Sequence, residues 1–313
     1  MSFDPETLRA LVEPHGLDPQ GFRRIRTGKF NESYFVALAD GGEAVLRIAP
    51  PDDAGFLFYE RGMMAQEPGI HRLVRERTPV PVAEVLAYDR SRGVIDRDYL
   101  LMERLPGRAL SDVALPQAAV ERTMEQTGRY LRELYDACQA ERYGYLGEHR
   151  PMEPAATWAE AFRTMWAKLV ADIRRCGAYD EAQARRVTEA IEPYLHLFER
   201  DVPSRLLHMD IWAQNILVDG QGDVTGLVDW DRALWGDPEI EFAVLDYCGI
   251  STPAFWRGFG AERDESPEAR VRWVFYYLYE LQKYIVIRTL RSGRPRDAAR
   301  YRDHALHMLG QLP

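Results

Sequence analysis

The pattern of apolar residues changes at Leu105-Pro106-Gly107, and this change constrains the fold more than any other feature of the sequence. Before it, a short helix is predicted at residues 3–16, and apolar and polar residues then alternate over short segments, which is typical of β-strands. We predict one antiparallel sheet of five strands, at residues 21–28, 32–41, 43–50, 78–89 and 97–105. A helix inserted at residues 57–77 should be kinked or divided at Pro68-Gly69.

Helical spacing of apolar residues dominates the rest of the chain. Helices are predicted at residues 116–138, 157–177, 180–200, 267–290 and 295–309, and short strands at 205–210, 215–219 and 224–231. We therefore predict an α+β protein with two lobes, residues 1–105 and residues 106–313. A cleft between two such lobes is a common site for a small ligand.

Composition excludes several classes of function. The formal net charge of −9 over 313 residues argues against a nucleic-acid surface, which needs clustered positive charge. No apolar run approaches the roughly 20 residues that cross a bilayer, and the N-terminal segment lacks the features of a signal peptide. We expect a cytoplasmic protein, monomer or homodimer, without a nucleic-acid or membrane partner. Cys138, Cys176 and Cys248 are too widely spaced for a metal or disulfide framework.

Polar residues with defined spacing follow the predicted strands of the second lobe. The segment His208-Met-Asp210-Ile-Trp-Ala-Gln-Asn215 is followed by Val228-Asp229-Trp230-Asp231. Asp210 and Asn215 flank one loop, and Asp229 ends the strand that pairs beside it, so the three side chains should converge. Carboxylate and amide oxygens suit Mg²⁺, which also binds phosphate oxygens. A second carboxylate nearby can orient a hydroxyl and accept its proton.

These motifs resemble those of the aminoglycoside phosphotransferase and choline-kinase-like family. The family pattern is His-x-Asp-x4-Asn, then Asp-Trp-Asp, then Gly-Asp-Pro with an acid three residues on, which here is Gly236-Asp237-Pro238 with Glu241. The segment from Tyr99 to Gly107 is similar to the family's hinge. The resemblance implies a two-lobed protein-kinase-like fold and phosphorylation of a small-molecule hydroxyl with ATP or GTP and Mg²⁺.

The resemblance also implies a role for each matching residue. Asp210 would be the catalytic base or orient the acceptor hydroxyl, and Asn215 and Asp229 would hold Mg²⁺ on the nucleotide phosphates. His208 and Asp231 would support these loops. The residues assigned to the nucleotide are Met102, Glu103 and Leu105 around the base and Gly28, Asn31 and Ser33 in the phosphate-covering loop.

Arg47 stands on the third strand, where protein kinases carry a lysine that holds the phosphates. Arginine also binds phosphate, and it does so through two hydrogen bonds at once. The resemblance implies a glutamate partner on the helix, for which we choose Glu67 over Glu60. A surface arginine on an edge strand is the alternative for Arg47.

The acceptor site is less readable. In the family, acids near the last helices often meet a cationic substrate, which points to Glu262, Asp264, Glu265 and Glu280. Helix capping by the first three, and core packing around Glu280, explain the same residues. The acceptor is expected to be an aminoglycoside-like compound or another cationic amino sugar or amino alcohol. The alternatives are a non-catalytic nucleotide-binding regulatory protein and a metal-dependent hydrolase.

Overall fold

The computed structural model describes residues 3–28, 30–52 and 55–312. Its first part is a five-stranded antiparallel sheet in the order β1-β2-β3-β5-β4. The strands are β1 Pro19–Ile25, β2 Glu32–Leu38, β3 Glu43–Ile48, β4 Val85–Asp89 and β5 Tyr99–Glu103. This confirms the predicted sheet, although β4 and β5 are shorter than their predicted ranges.

Helix α1, Pro5–Val12, covers one face of this sheet. Its N-cap Asp4 accepts a hydrogen bond from the backbone of Thr7, and Pro5 stands at the first helical position, where a missing N–H costs nothing. Three buried side chains of α1, Leu8, Leu11 and Val12, pack with buried residues of β2, β3 and β5. A small core therefore lies between α1 and the sheet.

The helix predicted at 57–77 begins ten residues later. Residues 58–62 form turns, a 3-10 helix spans Met63–Gln66, and α2 spans Glu67–Arg77. Pro68 lies in the first turn of α2, where proline is favoured, so the predicted helix is divided just before Pro68 and is not kinked there. Residues 58–62 are held by tertiary contacts, as when Phe58 N–H donates to the Asp172 carboxylate at 2.6 Å.

The second part is mostly helical, as predicted. Its helices are α3 Gln117–Ala137, α4 Trp158–Arg175, α5 Glu181–Glu189, α6 Glu239–Tyr247, α7 Pro253–Phe259, α8 Pro267–Val286 and α9 Pro295–Leu309. The helix predicted at 180–200 is interrupted, because Pro193 starts a separate 3-10 helix, Glu192–Phe198. Helices α6 and α7 were not predicted. In the described residues, none of the helices has both the length and the apolar character that crossing a bilayer requires.

Two small sheets in this part position the loops that carry the sequence motif. Their strands are β6 Arg108–Ala109, β7 Gln139–Ala140, β8 Ser204–Leu207, β9 Ile216–Val218, β10 Val224–Leu227 and β11 Leu234–Gly236. They pair as β10-β9-β6 and β11-β8-β7. Strands β8 and β10 end three and four residues before the predicted ends, so Asp210 and Asp229 lie in loops rather than in strands.

The largest hydrophobic core contains residues from both sides of the predicted lobe boundary at residue 105. Leu57, Tyr59, Ile70 and Val74, which precede that boundary, belong to the same buried cluster as α3, α4 and α8. Helix α2 therefore packs with the helical part of the chain as well as lying beside the sheet. A backbone hydrogen bond from Leu227 to Pro81, at 2.8 Å, adds a further tie between the two parts.

Candidate active site

The loop between β8 and β9 carries Asp210 and Asn215. The Asn215 Nδ2 group donates to the backbone oxygen and to Oδ2 of Asp210, both at 2.9 Å. These two bonds use both amide hydrogens, so Oδ1 of Asn215 remains free to bind a cation. The other carboxylate oxygen of Asp210, Oδ1, accepts from Arg232 Nη1 at 3.0 Å. The Asp210 side chain is 24% exposed, so a substrate hydroxyl can still reach it.

His208 is fully buried and joins this loop to the one that follows β10. Its Nδ1 accepts from the backbone N–H of Asp210 at 3.3 Å, and its Nε2 therefore carries the proton and donates to the Val228 oxygen at 3.1 Å. Burial lowers the pKa of His208 to about 4, so the ring is neutral. The ring also packs on Trp230, with centroids 4.4 Å apart. These are the contacts of a bracing residue.

Glu241 holds the same loop from the other side. Its buried carboxylate accepts from the backbone of Met209 at 2.6 Å, from the backbone of His208 at 3.2 Å and from the Tyr135 hydroxyl at 2.6 Å. Met209 has φ +64°, a left-handed conformation that is uncommon for a residue with a side chain. Burial raises the pKa of Glu241 to about 7. The carboxylate satisfies the N–H groups that this conformation turns inward.

Asp229 lies near Asn215, because the backbone N–H of the preceding residue, Val228, donates to the backbone oxygen of Asn215 at 3.0 Å. Asp229 also has a left-handed backbone, φ +72°, and its side chain is 39% exposed. Its Oδ1 accepts from Arg47 at 2.6 Å, whereas its Oδ2 has no hydrogen-bond partner among the described residues. Together with Oδ1 of Asn215, these oxygens fit Mg²⁺, which takes its other ligands from phosphate and water. Within residues 3–28, 30–52 and 55–312, no group of three or more His, Cys, Asp or Glu could hold a metal ion.

Arg47 reaches across the cleft to three carboxylates. It contacts Glu67 on α2, and its Nη2 donates to Asp229 at 2.6 Å and to Asp231 at 3.1 Å. Although burial disfavours its charge, these carboxylates raise the pKa of Arg47. Burial and then the neighbouring Asp229 raise the pKa of Asp231 well above its ordinary value. Arg47 is thus buried in the site rather than exposed on an edge strand, and Glu60 pairs with Arg291 instead.

The loop between β1 and β2 also contacts this cluster. Asn31 Nδ2 donates to Asp231 Oδ2 at 3.0 Å. This hydrogen bond connects the predicted phosphate-covering loop to the second lobe. Ser33 is buried in β2 directly opposite Arg47. Gly28 is exposed at the start of the loop, and Lys29 lies outside the described residues.

Two of the three residues assigned to the nucleotide base share a small apolar cluster. Met102 is buried there with Ala83, and Leu105 packs against them from the end of β5. Glu103 has an exposed side chain, and its backbone N–H donates to the Glu84 oxygen at 2.8 Å. The surroundings of these two residues are therefore apolar, whereas the Glu103 side chain lies outside the cluster.

Arg232 and Lys283 belong to the site and were missed in the sequence. Arg232 is buried and bridges Asp210 to Glu280, whose Oε2 accepts from Arg232 Nη2 at 3.1 Å. The other oxygen of Glu280 lies 2.5 Å from Lys283 Nζ. The only signals in the sequence were the position of Arg232 directly after Asp231 and the rarity of lysine.

The structure separates the other predicted acceptor residues from this cluster. Glu262, Asp264 and Glu265 lie between α7 and α8, where Asp264 accepts from Arg272 at 3.3 Å. Glu262 and Asp264 line a different cavity, of about 280 Å³, beside the first turn of α6. No contact among the described residues joins these three acids to Asp210. Their role at the acceptor stays a prediction without geometric support.

Comparison with known proteins identifies the family. The sequence model described as "Phosphotransferase enzyme family" matches residues 21–274. The chain belongs to this family. The match includes the sheet from β1 onward, both motif loops and the first part of α8. The family resemblance that the motifs indicated is therefore confirmed.

Solved structures of family members share the fold of this chain over almost its whole length. A thermostable variant of aminoglycoside phosphotransferase APH(4)-Ia, in ternary complex with AMP-PNP and hygromycin B, aligns with a TM-score of 0.69 at 19% identity and covers 96% of this chain and 97% of that one. A macrolide 2′-phosphotransferase type I aligns at 0.61 and 19% identity, covering 97% of each chain. The predicted kinase-like fold is confirmed.

Curated relatives match this chain over only part of their own length. Viomycin phosphotransferase of Streptomyces vinaceus is 30% identical over 176 residues, which cover 54% of this chain and 55% of that protein. Hygromycin-B 4-O-kinase of Escherichia coli is 25% identical over 186 residues, 57% of this chain and 48% of that protein. Acyl-CoA dehydrogenase family member 11 of Mus musculus is 24% identical over 280 residues, 82% of this chain and 33% of that protein. The aligned residues therefore make up about half of the length of the first two relatives and a third of the length of the last one.

Proposed function

We propose that this chain is a Mg²⁺-dependent phosphotransferase that moves the terminal phosphoryl group of ATP or GTP to a hydroxyl of a small molecule. The convergence of Asp210, Asn215 and Asp229 opposite Arg47 is the observation that carries the proposal. It joins oxygen ligands for a cation, a carboxylate for the acceptor and a cation for the phosphates within one cleft. These are the groups that phosphoryl transfer requires.

At the nucleotide end, the chain would bind and orient the phosphates. Arg47 would turn its guanidinium from Asp229 to a phosphate, since the two compete for the same donors. Asn215 and Asp229 would hold Mg²⁺, which neutralises phosphate charge when bound. Met102 and Leu105 would pack against the base. A complex of a family member with AMP-PNP supports nucleotide binding by this fold.

At the acceptor end, Asp210 would align the attacking hydroxyl and accept its proton late in the reaction. Its two oxygens are already bonded to Asn215 and Arg232, so the carboxylate is fixed in place before substrate binds. Such positioning, more than strong basicity, is what phosphoryl transfer needs from this residue. His208 would keep the loop in register as a neutral brace.

For the acceptor, we propose aminoglycoside-like compounds and other amino sugars or amino alcohols as the first class to test. Two relatives are named for antibiotics, viomycin and hygromycin B, which supports this choice. The acceptor will also decide between a role in resistance and one in metabolism. We expect the enzyme to act in the cytoplasm, as a monomer or homodimer.

The test is acceptor-stimulated release of ADP or GDP in the presence of Mg²⁺, measured against a panel of aminoglycosides, peptide antibiotics, amino alcohols and sugars. Asp210→Ala and Asp229→Ala should each abolish stimulated release. Asp201→Ala, at an exposed position before β8, is the matched control and should retain release. Nucleotide binding without release for any acceptor would favour the regulatory alternative, and full activity of Asp229→Ala would contradict the metal assignment.

A further inference from the structure

Glu280, which the sequence predicts as a ligand for a cationic acceptor, already forms ion pairs with two cationic side chains of the same chain. Its side chain is 1% exposed, and its two oxygens are separately engaged. Oε2 accepts from Arg232 at 3.1 Å, and Oε1 lies 2.5 Å from Lys283 Nζ. A carboxylate with a charged partner on each oxygen has little capacity left for a third cation.

The same ion pairs lead directly to the catalytic aspartate. Asp210 binds Arg232, Arg232 binds Glu280, and Glu280 binds Lys283. Two negative and two positive groups thus alternate, and their formal charges cancel. Arg232 and Lys283 are both buried, with side chains 9% and 7% exposed. The acceptor end of the cleft therefore presents a neutral network near Asp210 instead of a free carboxylate.

Lys283 contacts both this network and a group of partly exposed tyrosine rings. Its Nζ is 4.9 Å from the ring centroid of Tyr284, which stacks on Tyr247 and Tyr301 at 5.3 Å each. These three tyrosines are partly exposed, whereas Glu280 is buried. The lysine ammonium thus contacts both the buried carboxylate and one of the partly exposed rings.

The residue type adds to the argument. Lysine occurs at only three positions in the chain, 29, 168 and 283, and the remaining residues of the 40 basic ones are arginine. An ammonium is compact and bonds to one carboxylate oxygen, as the primary amine of a ligand would. Arginine, with its wide planar fork, does not imitate an amine in this way.

We propose that Lys283 determines acceptor specificity by filling, from within the chain, the position that an acceptor ammonium would take on Glu280. This inference rests on the proposed phosphotransferase function and refines its acceptor. The native enzyme then takes an acceptor whose group near Glu280 is uncharged, and any amine of that acceptor lies elsewhere. Removing Lys283 should create a binding site for a primary amine.

The test is equilibrium binding by calorimetry, in the presence of AMP-PNP and Mg²⁺, of two probes of similar size. One probe is the diaminocyclitol 2-deoxystreptamine, and the other is the neutral cyclitol myo-inositol. Lys283→Ala should bind the diaminocyclitol about ten- to a hundredfold more tightly than the native chain does, the range of one charged hydrogen bond. Its affinity for myo-inositol should not change.

Three further variants isolate the cause. Lys283→Arg keeps the charge and should show no gain, and Lys283→Met removes the charge but fills the space, so it should show a smaller gain. Glu280→Gln, added to Lys283→Ala, should cancel the gain. Unchanged AMP-PNP affinity verifies that each variant is folded.

An absent gain in both Lys283→Ala and Lys283→Met would overturn the proposal. So would a large loss of diaminocyclitol affinity on Glu280→Gln in the otherwise native chain, since Glu280 would then bind the amine despite Lys283. Neither result depends on turnover. A failure here together with acceptor-stimulated ADP release would therefore leave the phosphotransferase proposal standing, and the reverse pattern would reject that proposal instead.

Discussion

The substitution Arg47→Met asks whether the carboxylates around Arg47 depend on its charge. The guanidinium contacts Glu67 and Asp231, whose side chains are 0% and 6% exposed. Its third partner, Asp229, is 39% exposed, so water replaces much of what that carboxylate loses. Removal of one partner from a buried ion pair costs about 3–5 kcal/mol, because the remaining charge stays buried. We expect Arg47→Met to lower the free energy of unfolding by this amount at neutral pH.

The cost should depend on pH, and Glu67 determines the sign. In the native chain, burial alone would raise the pKa of Glu67, but Arg47 and His71 hold it below its ordinary value. In the variant the effect of burial remains, so this pKa should rise above its ordinary value. A carboxyl group with a raised folded-state pKa loses stability as the pH rises through that pKa. The difference between native chain and variant should therefore be largest in neutral and basic buffer and should shrink on acidification towards about pH 4.3, the ordinary glutamate pKa.

Equilibrium denaturation in urea over a series of pH values measures both effects. Arg47→Lys keeps one charge but loses the planar fork, so its cost should be smaller, about 1.5–3 kcal/mol for a lost charged hydrogen bond. Arg9→Met removes one side of the exposed Arg9–Glu13 pair and should leave the midpoint unchanged. A cost of less than about 1 kcal/mol for Arg47→Met, or one that does not shrink in acid, would refute the reasoning.

Three other substitutions test separate parts of the structure. Glu241→Gln leaves an amide facing backbone N–H groups, and should lower the free energy of unfolding by about 1.5–3 kcal/mol in urea denaturation. Arg232→Met should reduce kcat about 100-fold, because the Asp210 carboxylate loses a hydrogen bond that fixes its position. The affinity for nucleotide should not change. Steady-state kinetics measures kcat, and calorimetry measures the nucleotide affinity. Gly258→Ala places a methyl group against the backbone oxygen of Glu125, where α7 crosses α3. Tm should therefore fall by the equivalent of about 1–3 kcal/mol. The control Gly69→Ala adds a methyl group in open space and should not lower Tm.

The elements with strong periodicity could be predicted, and those that depend on tertiary contacts could not. The predicted segments of β1 to β3 end at Gly28, Gly41 and Pro50, and α3 and α4 have one apolar face. The segment before α2 contains apolar residues at helical spacing, yet Leu57 and Tyr59 are buried in the core of the helical part. Helix α6 was not predicted, because apolar residues lie on several of its sides. Strands β6 and β7 were not predicted either, because each has only two residues.

The candidate site divides in the same way. Asp210, Asn215 and Asp229 lie within one short stretch, so the spacing along a β-hairpin was enough to predict that they meet. The network of Arg232 and Lys283 depends on the contact between Arg232 and Glu280 of α8, which are 48 residues apart in sequence. No local pattern encodes such a contact.

The charges around Arg47 agree with the proposed divalent cation. Among the described residues, Glu67, Asp229 and Asp231 surround the single guanidinium of Arg47, which leaves a formal excess of two negative charges. An excess of this kind in a largely buried place is costly, and burial, followed by the charge of Asp229, raises the pKa of Asp231. A Mg²⁺ ion that arrives with the nucleotide would relieve it. Metal and nucleotide should therefore bind cooperatively to this cleft.

The acceptor end differs, because its charges are already balanced. Asp210 and Glu280 face Arg232 and Lys283, one cation for each acid. A cationic acceptor gains little from such a network, whereas a neutral hydroxyl meets a carboxylate whose position is fixed on both oxygens. Under the proposed function, this difference would place the metal and the phosphates beside Arg47 and the uncharged, reacting part of the acceptor beside Asp210. Removing Lys283 should therefore change which acceptors bind while leaving the nucleotide end unchanged.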